Sequence, residues 1–141
     1  METQLAIMKA LSDRNRFRVV AALQVHAELC ACQITELLQV SGATVSRHMG
    51  LLAQAGLVES RKDGRWIYFR LKTEPPADMG PVLKWIRKGV EKSARGAADL
   101  QALNQILTID KVTLCRRQRG EGCCPLPDRA PSNQNIQSRE S

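Results

Sequence analysis

Five cysteines are the residues of this sequence best suited to chemistry, and their positions divide them into two groups. Cys30 and Cys32 are separated by one residue, whereas Cys115, Cys123 and Cys124 stand toward the C-terminus, the last two adjacent. Thiolate rather than thiol is the form that ligates soft metals, and the positive end of a helix enriches it. Cys30 and Cys32 lie where a helical pattern begins, with Ile34, Leu37 and Leu38 on one face of the segment 32–38. That is favourable ligand chemistry; the simpler alternative is two small buried side chains. Residues two apart on a regular helix point about 200° away from each other. One ion held by both sulfurs therefore predicts a distorted first turn, and any partner that needs the undistorted helix would compete with the ion.

The element those cysteines precede is a pair of short helices. A polar turn at 39–42 follows the first, and Ser41 is placed to cap the second, which runs from about Gly42 to Ala55. Val45, Met49 and Leu52 recur on its inner face, leaving Ala43, Thr44, Ser46, Arg47 and Gly50 outside. A short, polar, cationic outer face suits the second helix of a helix-turn-helix lying in the major groove of DNA. Arg47 can donate twice to a guanine edge, and Ser41, Thr44 and Ser46 can reach bases or phosphates. His48, in the same segment, is read as holding the helix in place. Gly56 ends the helix, and the period changes from 3.6 to 2. GLVESRK and RWIYFRLK read as two strands joined by Asp63-Gly64, with Arg61, Lys62 and Arg65 around the hairpin. Helix, turn, helix and basic hairpin in that order make a winged helix-turn-helix, a mainly α fold with one small β-hairpin whose expected partner is double-stranded operator DNA.

Upstream, residues 4–11 form a short apolar helix, and Ser12 and Asp13 can cap a second over Arg14 to about Val25. Arg14, Arg16 and Arg18 at its start read either as phosphate contacts or as a solvated face. Downstream, Pro75 and Pro76 break the chain, and Asp78 can cap a long helix from Met79 to about Thr108 whose apolar stripe needs a cover. A second copy is the simplest cover, so the expectation is a homodimer formed through the terminal helices. From about Val112 the chain reads as a polar tail without a core face, giving a DNA-binding and dimerisation domain over 1–110 and a cysteine-containing flexible tail over 111–141. Lys and Arg number 21 against 14 Asp and Glu, a formal charge of +7 that favours a polyanionic partner. No stretch is long and apolar enough to span a membrane and the N-terminus lacks the order of a signal peptide, so a cytoplasmic protein is expected, with cysteines serving as ligands or redox groups rather than in disulfides. The chain has no Cys-x-x-Cys, phosphate loop or acid/base constellation that would point to an enzyme, and no organic cofactor is expected.

ELCACQITELL, SGATVSRHMGLL and GLVESRKDGRWIYFRL together resemble the ArsR/SmtB family of metal-sensing repressors, and within it the arsenic-responsive type. The resemblance covers roughly residues 5–107. It implies a homodimeric winged helix that represses a resistance operon until trivalent arsenic or antimony binds. The family's ELCVCDL motif maps Cys30 and Cys32 onto its first two sulfur ligands, and its third cysteine falls at Thr35. The missing sulfur could come from Cys115, Cys123 or Cys124, or those three could form a site of their own. Four sulfurs would suit cadmium, lead or zinc instead. The histidines are His26 and His48, and none lies on the 79–108 segment, against the His/Asp zinc site of other members. A thiol redox switch is the reading from a different class.

Overall fold

The computed structural model describes residues 1–76 and 78–119. The chain begins with α1 (Glu2–Leu11) and α2 (Arg14–Val25), passes through a two-residue strand β1 (Leu29–Cys30), and enters α3 (Ala31–Leu38) and α4 (Gly42–Gln54). The wing follows as β2 (Val58–Asp63) and β3 (Trp66–Leu71), and then come α5 (Met79–Glu91), α6 (Ala94–Ile106) and α7 (Lys111–Arg119). The core gathers one face of each helix: Val19, Val20 and Leu23 from α2, Ile34, Leu37 and Leu38 from α3, Val45, Met49 and Leu52 from α4, with Ile86, Leu103 and Leu114 from the C-terminal helices.

Local chemistry sets the boundaries of the central motif. Asp13 caps α2 by accepting from the backbone N–H groups of Asn15 and Arg16 at 2.9 and 3.1 Å, and Ser41 caps α4 by accepting from Thr44 N at 3.1 Å. Between α3 and α4 the chain turns at Gln39, which takes the left-handed conformation at φ 57°. Gly56 ends α4 at φ 79°, a conformation that glycine adopts without steric cost.

The sheet is antiparallel in the order β1-β3-β2. Asp63 pairs with Trp66, so the two-residue turn is Gly64-Arg65, one residue later than the spacing suggested. Positive φ at Gly64 and not at Arg65 is the pattern of a II′ turn. Strand β1, not foreseen, sets Leu29 opposite Phe69 and Cys30 opposite Tyr68.

Three expectations for the C-terminal third are corrected. The long helix over 79–108 is two helices, broken at Lys92 and Ser93. Ser93 Oγ accepts from Gly96 N at 2.9 Å and donates to Val90 O at 2.9 Å, capping α6 and closing α5 with one hydroxyl. A Cβ on Gly96 would lie 1.9 Å from Val90 O, so the close crossing needs glycine. Asp78 occupies the position before α5 at φ 67° but makes no side-chain capping bond. The stretch 111–119, expected to open the flexible tail, is helical, buries Leu114 and Cys115 and packs on α3.

Candidate metal centre and nucleic-acid interface

Cys30 and Cys32 meet at a helix entrance. Cys30 is the residue before the first turn, with extended backbone (φ −75°, ψ 150°), and its N–H donates to Gln33 Oε1 at 2.8 Å; Cys32 lies inside the turn. Because Cys30 is not helical, the 200° divergence of two helical positions does not apply. Their sulfurs stand 3.4 Å apart without any distortion of α3, which corrects the expectation of a strained first turn. Two metal–sulfur bonds of about 2.3 Å meeting at a tetrahedral angle set sulfurs about 3.8 Å apart, so a small opening of this pair fits one soft ion.

The electrostatics favour thiolate. The hydrogen bond from Cys32 Sγ, followed by the N–H groups of Cys32 and Ala31 and the Lys111 ammonium, outweighs burial and brings the Cys30 thiol down to about 7. Both side chains are 0 % exposed. Thr35, where a third sulfur would fall, is buried and its hydroxyl donates to Ala31 O at 2.8 Å. Among the described residues no three His, Cys, Asp or Glu side chains converge as a ready-made ion site. Cys115 is buried on α7 and stands in disulfide form, so it could join a site only after reduction. Its neighbours on the same helical face, Lys111 and Gln118, reach Tyr68 and the Cys32 carbonyl respectively, so that face of α7 is directed at the cysteine-bearing end of α3. Cys123 and Cys124 lie outside the described residues.

Of the residues read as DNA contacts, Ser41, Ser46 and Arg47 are exposed and Thr44 half-buried, all at the start or on the outer face of α4. Gly50 on the same face has open space where a Cβ would stand. On the wing, Lys62 is exposed and Arg65 half-buried, its guanidinium 6.0 Å from the Trp66 ring centroid. Arg61 is exposed, but Nε and Nη2 of its guanidinium donate to the two Glu28 carboxylate oxygens at 2.7 Å while it stacks 4.5 Å from the centroid of Tyr68. That bond also holds the Glu28 carboxyl below its usual range.

Two of the three α2 arginines turn inward. Arg16 donates to Ala10 O at 2.7 Å and lies 3.0 Å from His48 Nδ1. Since guanidinium only donates, Nδ1 is the acceptor and His48 carries its proton on Nε2, 3.9 Å from Asp13. Buried His48 thus fastens α4 to the α1–α2 junction, the role read from the sequence. Arg18 bonds Asp99 on α6 at 2.8 and 2.9 Å, Asn15 at 3.0 Å and Leu37 O on α3 at 3.2 Å. Sequence reasoning missed this link because nothing in local spacing joins positions 18 and 99.

The chain was compared with known proteins. Residues 11–61 match a family model described as a helix-turn-helix domain. The chain is 34% identical over 79 residues to the arsenical resistance operon repressor of Escherichia coli K12, covering 56% of this chain and 68% of that one. It is 35% identical over 80 residues to the arsenic resistance transcriptional regulator ArsR1 of Pseudomonas putida and 44% over 64 residues to the cadmium resistance regulatory protein CadC of Listeria innocua. These matches cover 57% and 45% of this chain and span 62% and 54% of those relatives. Among solved structures, HlyU from Vibrio cholerae superposes with a TM-score of 0.54 at 20% identity, over 62% of this chain and 90% of that one. That likeness speaks to the fold, and the sequence matches speak to descent. With the helix-turn-helix, the wing and a relative covered over more than two thirds of its length all in agreement, the chain belongs to the ArsR/SmtB family of winged-helix transcriptional regulators.

Proposed function

We propose that this protein is a transcriptional repressor that binds operator DNA as a homodimer and lets go when trivalent arsenic or antimony is captured by Cys30 and Cys32. The observation that carries the reading is the pair of sulfurs 3.4 Å apart at the entrance of the helix-turn-helix, one of them ionised near neutral pH. Relatives named for arsenic resistance support arsenite, and others named for cadmium resistance make cadmium, lead or zinc the alternative. The third sulfur is Cys115, or Cys123 or Cys124. Ser41, Thr44, Ser46 and Arg47 meet the major groove, while Lys62 and Arg65, and Arg61 once parted from Glu28, meet the flanking backbone. Large apolar side chains left exposed on α1 (Leu5 56 %, Met8 66 %) and α5 (Trp85 70 %) support a second copy as their cover.

The same 3.4 Å separation favours one further reading, oxidation of Cys30 and Cys32 to a disulfide with two electrons and two protons passing to a peroxide. A single titration separates the readings. The reduced protein is bound to a labelled operator selected from a random duplex pool, and arsenite, cadmium or peroxide with chelator is added. Release by micromolar arsenite ahead of the others supports the proposal; release by cadmium or peroxide alone replaces it.

A further inference from the structure

Because Cys30 and Cys32 are wholly buried, an ion reaches them only after something over them moves. The described helix that lies across that end of α3 is α7, and its two ends hold different things. At its start, Lys111 donates to the Tyr68 hydroxyl and stands 4.5 and 5.7 Å from the ring centroids of Tyr68 and Trp66, both on the wing. Seven residues on, along the same face, Gln118 Nε2 donates to Cys32 O at 2.8 Å and to Glu36 Oε1 at 3.1 Å. Leu114 and Cys115, buried between them, hold the helix down. The wing is joined to the cysteines a second way, since Cys30 pairs with Tyr68 in the sheet.

We infer that α7 is a strap coupling the thiol pair to the wing, with Lys111 and Gln118 as its positioning residues: it lifts to admit the ion, and lifting withdraws Lys111 from Tyr68 and Trp66. The strap rests on the reading of Cys30 and Cys32 as an ion site. It replaces the strained helix turn as the means of communication, because the sulfurs already converge with α3 regular. Capture of an ion is then felt first at the hairpin that flanks the DNA, and by linkage a wing held against DNA disfavours the lifted state.

The test uses the full-length reduced protein with sodium arsenite as the probe. Thiol shielding is read by alkylation and peptide mass, and wing mobility by hydrogen exchange of peptides over 58–71. In the wild type, arsenite shields Cys30 and Cys32 and speeds wing exchange several-fold. Lys111→Met raises wing exchange before arsenite is added and removes the further rise, with shielding intact; Lys111→Arg, which can still stack and donate, restores the response. Gln118→Leu, freeing the other end, speeds alkylation of Cys30 and Cys32 about tenfold, the effect of one or two lost hydrogen bonds on a local opening. Unchanged exchange over α2 to α4 separates these effects from general destabilisation. If arsenite shields both cysteines and the wing does not respond, or if Lys111→Met responds like the wild type, the strap is wrong and the ion site stands. If arsenite shields neither cysteine, both readings fall together.

Discussion

Removing Asp99 tests how the C-terminal helices are bound to the helix-turn-helix. The Arg18 and Asp99 side chains are 11% and 12% exposed, and two bonds of 2.8 and 2.9 Å join them, so the pair is desolvated on both sides. Asp99→Ala leaves the guanidinium in place without its counter-charge, a change that costs about 3–5 kcal/mol at buried pairs. Two features place this site at the lower end. Arg18 keeps Asn15 Oδ1 and Leu37 O as acceptors, and a shallow concavity lined by Val25, Val90 and Leu100 beside the pair lets water approach. The expected loss is therefore about 3 kcal/mol, or a melting temperature lower by roughly 10 °C for a chain of this size. Urea unfolding at a fixed protein concentration measures it, since any dimerisation makes stability concentration-dependent. The double replacement Arg18→Leu with Asp99→Leu should recover most of the loss, because apolar side chains of similar volume are tolerated where a lone charge is not. A cost below about 1 kcal/mol for Asp99→Ala, or a double variant as unstable as the single one, would refute a buried, mutually dependent pair.

Other consequences follow from the same geometry. Gly96→Ala, which in an open helix would stabilise by about 1 kcal/mol, should instead cost about 2–3 kcal/mol because its methyl meets the Val90 carbonyl, and urea midpoints will show the sign. Ultraviolet absorbance of the thiolate should titrate Cys30 with a midpoint near pH 7 in the closed native state, and Lys111→Met should shift that midpoint upward. Burial, with the Arg16 and Arg47 cations, presses His48 below the ordinary histidine value against the pull of Asp13. Between that lowered value and the unfolded value of about 6.5 the unfolded chain binds more protons, so this stability is full above pH ~6.5 and lost as pH falls through the folded value. His48→Asn should flatten the loss, as urea midpoints between pH 5 and 7.5 will record. Arg47→Ala should weaken binding to a selected operator by about 10–100-fold and relax its sequence preference, whereas Lys62→Ala should weaken all duplexes alike and reduce the salt slope by about one.

What the sequence disclosed about this fold depended on how local the signal was. The α3–α4 pair was legible because its apolar positions keep helical spacing on both sides of a turn, and Ser41 announces the second start. The wing was legible because the period drops to 2 around a glycine. The break at Ser93 was hidden: apolar spacing continues across it, and the need for glycine at position 96 comes from a carbonyl that approaches in space. Helix α7 was hidden because its buried face is Leu114 and Cys115 among basic and polar neighbours, too short to register as a period. In the candidate site, the choice of Cys30 and Cys32 needed only their spacing and place. Their convergence needed the backbone angle of Cys30, because one residue outside the helix reverses the expectation of diverging sulfurs. The engagement of Arg61 by Glu28, and of Lys111 by Tyr68, joins positions far apart in the chain that no spacing rule connects.

The most direct test of the central claim is operator binding by the variant carrying both Cys30→Ser and Cys32→Ser, measured with and without arsenite beside the wild type. Arsenite should weaken the wild type by about 10–100-fold, within the usual range of coupling between two sites, and leave the serine variant within about twofold of its arsenite-free affinity. A serine variant that binds the operator normally and is still displaced by arsenite would show that the inducer acts elsewhere in the chain.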